Sequence, residues 1–319
     1  MVKLLYRLSF FVLISLQCSE VFSDPVQSLA AQSLATQAKT SFSVQYSFQG
    51  KPYQYQAIID GNEYTFNSAS PNIVNMATLD WPPYVGRNLC NLGWSLQFAI
   101  AVLTAKNYRV NVYFYPWVRA VKMVESGQME ILYPEYFIED TAPSDIFPNI
   151  KRRELLVESN ELVGGNISLF KRKDSPFIFS GNLKAIEGKT IGVVRGYQNT
   201  PEFDAMMDKG LIQIIEAVDD TQLLKLLLGK RVDLIIGDPQ VFEYVIDSSN
   251  ISFSEKQVMK DKIVEVSPAL KYNHLYFAVS TKYAHWKQLL EDINLSLLDF
   301  EASGETQRIY QQGSDCYAN

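Results

Sequence analysis

Short apolar runs alternate with amphipathic segments along most of the chain after residue 72. The apolar runs predict strands at residues 73–78, 110–115, 129–133, 162–170, 190–194, 211–216, 232–236 and 274–280. The amphipathic segments predict helices at residues 93–105, 117–126, 200–210, 220–228 and 286–298. Strands that alternate with helices predict an α/β fold with mostly parallel sheets.

Turn and capping residues support these boundaries. Thr200 and Pro201 are typical of a helix N-cap and first helical position, and Gly210 follows the last apolar residue of that segment. Asp220 is the predicted cap of the next helix, and Gly229 ends it.

Residues 41–67 show a different pattern, in which aromatic and polar residues alternate. The turn-forming stretches 49–52 and 60–62 interrupt this alternation and predict small β-hairpins. A Ser-, Ala- and Gln-rich lead-in covers residues 24–40. We therefore treat residues 24–71 as an accessory N-terminal segment, whose purpose the pattern does not show.

The amino terminus is typical of an exported protein. Lys3 and Arg7 precede an apolar run that ends at Leu16, far shorter than the roughly 20 residues of a membrane-spanning helix. This arrangement predicts a secretory signal peptide at residues 1–23, cleaved before Asp24, and a periplasmic location. An uncleaved anchor is the alternative.

Two cysteines, Cys90 and Cys316, remain after the predicted cleavage. In an exported protein such a pair suggests a disulfide, with two separate buried thiols as the alternative. The two histidines, His274 and His285, have no partner at metal-ligand spacing. We therefore expect neither a metal site nor a cofactor.

Charge and aromatic content narrow the range of expected binding partners. The formal charge is -6 and no basic stripe is present, so nucleic acid is not an expected partner. Aromatic residues make up 13% of the chain, which fits either core packing or a platform for a flat or cationic ligand.

Neither a phosphate-binding glycine loop nor a nucleophile elbow occurs, so the sequence does not favour an enzyme. Gly164 and Gly165 predict a hinge or turn.

Polar and aromatic residues follow the predicted strands, where open α/β sheets bind ligands. These residues are Trp81, Tyr84, Trp117, Arg119, Tyr136, Arg195, Tyr197 and Asp238. Core or surface packing is the alternative for each one taken singly.

Six stretches are informative through their order and spacing, namely 78–84 (TLDWPPY), 116–120 (PWVRA), 125–130 (ESGQME), 183–193 (LKAIEGKTIGV), 229–238 (GKRVDLIIGD) and 304–310 (GETQRIY). Through them the sequence from residue 73 to residue 312, about three quarters of the chain, resembles solute-binding protein family 3, the periplasmic polar amino acid receptors of ABC importers.

The resemblance implies a two-lobed, type II periplasmic-binding-protein-like fold with a ligand cleft between the lobes. Lobe 1 would comprise residues 72–160 plus 273–319, and lobe 2 residues 161–272. The following roles are also implied by the resemblance: Trp81 stacks on the ligand, Trp117 forms a second aromatic wall, Asp238 receives an ammonium group, and Tyr197 and Gln198 begin a helix that holds a carboxylate.

One departure from the family pattern concerns charge. Amino acid binders of the family carry an Arg in the loop after the third strand, whereas residues 136–143 contain none. Either Arg119 or Arg195 supplies this charge, or the ligand is not an ordinary α-amino acid. With Asp238 retained, the pattern favours a ligand that carries a positive charge.

The sequence thus predicts a monomeric receptor that delivers a small polar solute, amino-acid-like or amine-bearing, to the membrane subunits of an ABC importer. One alternative is an enzyme on the same fold, similar to a cyclic-carboxylate dehydratase, with Glu135, Glu139 or Asp238 as acid or base. A second alternative is a sensory binding protein that acts with a separate signalling partner.

Overall fold

The structure is a computed structural model and describes residues 42–315. The predicted signal peptide, the lead-in at residues 24–40 and Cys316 lie outside the described residues. The bridge between Cys90 and Cys316 therefore stays a prediction.

The described chain forms strands and helices in alternation. The strands are β1 (Ser43–Phe48), β2 (Lys51–Gln56), β3 (Ile58–Asp60), β4 (Glu63–Phe66), β5 (Asn72–Thr78), β6 (Tyr108–Phe114), β7 (Ile131–Glu135), β8 (Leu156–Glu158), β9 (Leu162–Arg172), β10 (Thr190–Val194), β11 (Gln213–Ala217), β12 (Leu234–Gly237) and β13 (Ile263–Ser280). The helices are α1 (Trp94–Ala105), α2 (Trp117–Glu125), α3 (Arg152–Leu155), α4 (Pro201–Asp208), α5 (Asp220–Leu228), α6 (Pro239–Ser248), α7 (Phe253–Lys262), α8 (Trp286–Ala302) and α9 (Glu305–Asp315). Short 3₁₀ helices cover Cys90–Leu92 and Leu183–Ile186.

Two sheets share the long strand β13, and we name the part of the molecule around each sheet a lobe. The first lobe has the strand order β3-β4-β6-β5-β7-β13, with β8 also paired to β13. The second lobe has the order β11-β10-β12-β9-β13. Residues 263–275 of β13 pair with β9, and residues 276–280 pair with β7 and β8. The domain boundaries given above stay predictions.

The strand directions place the carboxyl ends of the inner strands at one edge of each sheet. Strand β5 is parallel to β6 and β7, and β10 is parallel to β11 and β12. The remaining pairs are antiparallel, including the crossing pair of β9 and β13. The expectation of mostly parallel sheets is therefore wrong, because the crossing strands and the accessory strands run against the parallel core.

The described part of the accessory segment is built into the first lobe. Both predicted hairpins are present, as β1 with β2 and as β3 with β4, and Gln49 and Gly50 have the positive φ angles that their turn requires. The second hairpin extends the first sheet through pairing of β4 with β6. The first hairpin buries alternate residues against α8, where Tyr46 and Phe48 each lie 5.6 Å from the ring of Phe300.

Each lobe has its own apolar packing. One cluster of buried side chains joins β5, β6 and β7 to α1, α2, α8 and the first hairpin. The second sheet carries a cluster on each face, because successive side chains of a strand point to opposite faces. In β12, Leu234 and Ile236 belong to one cluster and Ile235 to the other.

The local details correct several expectations. The cap of α5 is Asp219, whose carboxylate accepts from the Gln222 N–H, and Asp220 is the first residue of the helix. Thr200 caps α4 as predicted. The pair Gly164 and Gly165 lies inside β9 and forms no turn. The sequence analysis did not predict α6 and α7. Helix α6 has a recognisable start in Asp238 and Pro239 and buries Val241, Phe242 and Ile246, whereas α7 buries no side chain.

The contact between the first hairpin and α8 leads to a stability prediction. Phe300→Ala removes a fully buried ring that touches Tyr46, Phe48 and Phe98, so we expect the free energy of unfolding to fall by about 3–5 kcal/mol. Leu298→Ala, on the same helix but 59% exposed, should change it by no more than about 0.5 kcal/mol. Urea unfolding of both variants measures the difference, and equal losses would contradict the packing described here.

Candidate functional site

A small cavity lies where the carboxyl ends of the two sheets face each other. Its volume is about 30 Å³, which is room for about two water molecules. The lining residues are Leu79, Trp81, Trp117, Pro134, Glu135, Tyr136, Tyr197, Gln198 and Leu275. These residues follow or end β5, β6, β7 and β10, or belong to β13. The structure thus brings together five of the sequence-predicted site residues, namely Trp81, Trp117, Tyr136, Tyr197 and Gln198.

Aromatic rings form two perpendicular pairs around this cavity. Trp81 meets Tyr136 with ring centroids 5.8 Å apart and an interplanar angle of 87°. Trp117 meets Tyr197 at 6.2 Å and 89°. Both tryptophans are buried, so packing against neighbouring side chains fixes the positions of their rings.

The second lobe contacts the first through Trp117. The indole Nε1–H of Trp117 donates to the backbone oxygen of Gly196 at 3.0 Å. A Cβ at Gly196 would lie 2.9 Å from Cγ2 of Val118, and Gly196 also has φ of +80°. Glycine at position 196 is therefore required both by its backbone conformation and by the close approach of α2.

A second contact between the lobes joins Tyr84 to Asp238. The Tyr84 hydroxyl donates to Oδ2 of Asp238 at 2.7 Å, and the Tyr84 ring stacks on Trp81 with centroids 4.3 Å apart. Gly165 of β9 lies directly beside this bond, because a Cβ there would be 2.0 Å from Asp238 Oδ2 and 2.4 Å from the Tyr84 hydroxyl. Tyr84 therefore supports the Trp81 wall from behind and is not among the lining residues.

Asp238 has its donors within the protein. Its Oδ1 accepts from the backbone N–H groups of Gln240 and Val241 and so caps α6, while Oδ2 accepts from Tyr84. Burial raises the pKa of Asp238 to about 6, although these three hydrogen bonds act in the opposite direction. The carboxylate is only 2% exposed and is not among the residues that line the cavity. Its predicted role as the ammonium receptor stays a prediction.

Glu135 is the one carboxylate of the cavity lining. Its Oε1 accepts from the backbone N–H of Tyr136 at 2.9 Å, and its Oε2 has no hydrogen-bond partner among residues 42–315. Burial raises the pKa of Glu135 to about 8, with Arg152 acting in the opposite direction. Sequence reasoning considered Glu135 only as an acid or base of the alternative enzyme. Its place at the last position of β7, directly before Tyr136, was the signal that could have assigned it to the ligand site.

The two arginines proposed as replacements for the family's carboxylate clamp lie elsewhere. Arg119 is exposed and its guanidinium lies 4.7 Å from the centroid of the Tyr115 ring. Arg195 is exposed and pairs with Glu216 through Nε at 2.8 Å. Neither is among the lining residues.

Tyr197 and Gln198 lie in the loop between β10 and α4 rather than at a helix start. The helix begins at Pro201, which has no backbone N–H, so its first N–H group is that of Glu202. The Tyr197 hydroxyl is hydrogen-bonded to Asp220, and Oε1 of Gln198 has no partner within the described part of the chain. The hydroxyl of Tyr136 also has no hydrogen-bond partner within the described chain. With Glu135 Oε2 and Gln198 Oε1 it is the third such atom of the lining.

Two further features concern the described residues as a whole. No helix between residues 42 and 315 is both long and apolar enough to cross a bilayer. In the same part of the chain, no group of three or more His, Cys, Asp or Glu side chains is placed to hold a metal ion.

Comparison with solved structures identifies the fold. A histidine kinase sensor domain with similarity to periplasmic binding proteins matches 76% of this chain and 96% of its own, with 17% identity and a TM-score of 0.61. An ancestral arginine-binding protein bound to arginine matches 76% and 98%, with 16% identity and a TM-score of 0.60. The periplasmic binding protein of an arginine transport system from Legionella pneumophila matches 76% and 99%, with 16% identity and a TM-score of 0.58.

No protein-family model and no curated protein sequence matches the chain. At these low identities the solved structures show the fold alone. The fold is the mixed α/β, two-lobed fold of periplasmic binding proteins, in agreement with the family resemblance seen in the sequence.

Proposed function

We propose that the protein is a periplasmic solute-binding protein that clamps a small polar solute, amino-acid-like or amine-bearing, and delivers it to the membrane subunits of an ABC importer. The observation that carries this proposal is the cavity whose walls come from both lobes. Trp81 and Trp117 belong to the first lobe, whereas Tyr197 and Gln198 belong to the second.

A solute in this cavity would touch both lobes at once. A ligand that makes contacts in one arrangement of two domains and loses them in another shifts the population towards the first arrangement. The hydrogen bonds from Trp117 to Gly196 and from Tyr84 to Asp238 would form only when the lobes meet. Ligand binding and lobe contact are therefore coupled in the proposed mechanism.

A sensory role is the second candidate, because a histidine kinase sensor domain has the same fold. The solute-binding step would be the same, and only the partner that recognises the closed form would differ. Copurification of the ligand-bound protein with importer membrane subunits would support delivery, and copurification with a membrane-bound kinase would support sensing.

The cavity offers little to the enzyme alternative. Glu135 lines it without a second carboxylate, histidine, cysteine or lysine among the described lining residues. Glu139 lies outside this lining and approaches Lys271 at 4.0 Å, while Asp238 caps α6. The cavity therefore does not bring these carboxylates together as an acid and a base that could act on one atom of a substrate. This supports binding over catalysis.

The proposed clamp can be tested with a thermal-shift screen of amino acids, amines and small carboxylates, followed by titration of the solute that raises the melting temperature most. Trp117→Ala removes one wall and one contact between the lobes, so we expect the affinity for that solute to fall at least about tenfold, or about 1.4 kcal/mol. Lys122→Ala, exposed on the same helix, is the matched control. Equal affinities of the two variants would refute the assignment of Trp117.

The contact between the lobes can be tested at Gly165. A methyl group at this position would overlap Asp238 Oδ2 and the Tyr84 hydroxyl, so Gly165→Ala should break their hydrogen bond and hold the lobes apart. We expect solute affinity to fall at least about tenfold and small-angle scattering to show a smaller ligand-induced compaction than in the wild type. Val163→Ala, at an exposed position of the same strand, should behave like the wild type. Normal closure of the Gly165→Ala protein would contradict the proposed coupling.

A further inference from the structure

The unpaired polar atoms of the cavity are mainly hydrogen-bond acceptors. They are Oε2 of Glu135, the hydroxyl of Tyr136 and Oε1 of Gln198, none of which has a partner among residues 42–315. An ionised carboxylate and an amide oxygen only accept, and a hydroxyl can do either. With Glu135 ionised, a ligand that satisfies this set must bring hydrogen-bond donors, and an ammonium group brings both donors and positive charge.

Acidic side chains lie on both sides of the cavity. Glu135 lies in the first lobe, and Asp220 and Asp238 lie in the second, where both raise the pKa of Tyr136. All three carboxylates are buried. In their ionised forms these groups would repel a ligand carboxylate, and the repulsion is stronger in a buried site than in water.

Arg152 and Arg153 pair with other carboxylates. Arg152 binds Glu125 through Nε at 3.1 Å and Asp145 through Nη2 at 3.4 Å, while its Nη1 has no hydrogen-bond partner within the described chain and its charge lowers the pKa of Glu135. Arg153 approaches Asp140 at 3.5 Å and Glu158 at 3.7 Å. Within the described chain, no lysine, arginine or histidine lines the cavity, and Glu135 has no ion-pair partner. Among the described residues, Glu135 therefore has no cation within ion-pair distance, and Arg152 acts on it only from further away.

The aromatic walls fit such a charge. The faces of tryptophan and tyrosine rings attract cations, and the four rings of the two perpendicular pairs line the same cavity as Glu135. A carboxylate combined with several ring faces is a general solution for holding an ammonium group, because the rings exclude water while the carboxylate supplies the counter-charge.

We propose that the cavity binds the cationic head group of a protonated or methylated amine, with Glu135 as its counter-ion and Trp81 and Trp117 as aromatic walls. This proposal rests on the proposed solute-binding function and names its ligand class.

The experiment is isothermal titration calorimetry of the full mature protein at constant ionic strength, with four probes. Methylammonium and choline represent protonated and quaternary amines, 3,3-dimethylbutan-1-ol is the neutral isostere of choline, and acetate is the anion. We expect at least one cation to bind at least about tenfold more tightly than both the neutral alcohol and acetate. The comparison of methylammonium with choline shows which kind of amine is preferred.

Glu135→Gln keeps the shape of the side chain and removes its charge. We expect this variant to lose at least about tenfold in affinity for the preferred cation, whereas Glu161→Gln, at an exposed carboxylate of the same charge, should keep the wild-type value. The melting temperature of the unliganded Glu135→Gln protein should not fall, because the wild-type carboxylate is buried without an ion-pair partner among the described residues. A variant that folds and still binds the cation normally would overturn the assignment of Glu135.

The pH dependence provides a second readout that a purely structural role would not produce. Choline does not titrate, and the groups that act on Glu135 are Arg152, Glu158, Asp145 and the backbone of Tyr136. Because burial raises the pKa of Glu135 to about 8, the ionised form becomes populated between pH 7 and pH 9. Since a cation favours this form, choline affinity should rise with pH in this range for the wild type and stay flat for Glu135→Gln.

The outcomes separate this proposal from the broader one. Binding of a neutral or anionic solute, without binding of either cation, would overturn the cationic ligand class and leave the solute-binding function standing. Absence of binding by every solute in the thermal-shift screen and by all four probes would overturn both.

Discussion

The pairing of β9 with β13 is the interaction on which the rest of the structure depends, because β13 belongs to both sheets. The two strands approach so closely at Gly164 that a Cβ there would lie 1.8 Å from the backbone oxygen of Asn273. The register of β13 shifts between Asn273 and Leu275, where its pairing passes from β9 towards β7. This shared strand brings the carboxyl ends of the two sets of parallel strands towards each other, and so it fixes where a cavity can form.

Two buried carboxylates at this meeting point are held in different ways. Asp238 accepts three hydrogen bonds, two of them from the first turn of α6, so its charge is compensated within the protein. Glu135 accepts one hydrogen bond, from the N–H of the next residue, and its second oxygen has no partner in the described chain. A buried group that lacks partners is costly for folding, so it is better explained by an interaction that the folded protein makes with something else. The two carboxylates thus differ in how far the protein itself supplies their donors.

Periodicity and turn chemistry predicted most elements within a few residues, since these signals are local. The strand at 190–194 and the Thr200 cap are examples. The contact between Tyr84 and Asp238 joins residues 154 positions apart, and no local signal encodes such a pairing. Arg119 and Arg195 follow strands as expected, but the side-chain direction that turns them to the surface depends on how α2 and β10 pack. The sequence did not indicate Glu135 as a ligand-site residue. It ends an apolar strand, and its pattern does not separate burial at a cavity from burial in the core.

The loop without an arginine and the buried glutamate adjoin each other in the sequence and concern the same charge. In the family that the sequence resembles, the loop after the third strand supplies a positive charge to a ligand carboxylate. In this chain the loop at residues 136–143 contains no arginine, and the residue directly before it is a carboxylate that lines the cavity. Loss of the arginine alone would only weaken the binding of a carboxylate, whereas an ionised Glu135 beside the cavity would, in the proposed function, favour a cationic ligand. The fold is shared with the arginine-binding proteins, and the proposal places the difference in ligand chemistry at the end of β7.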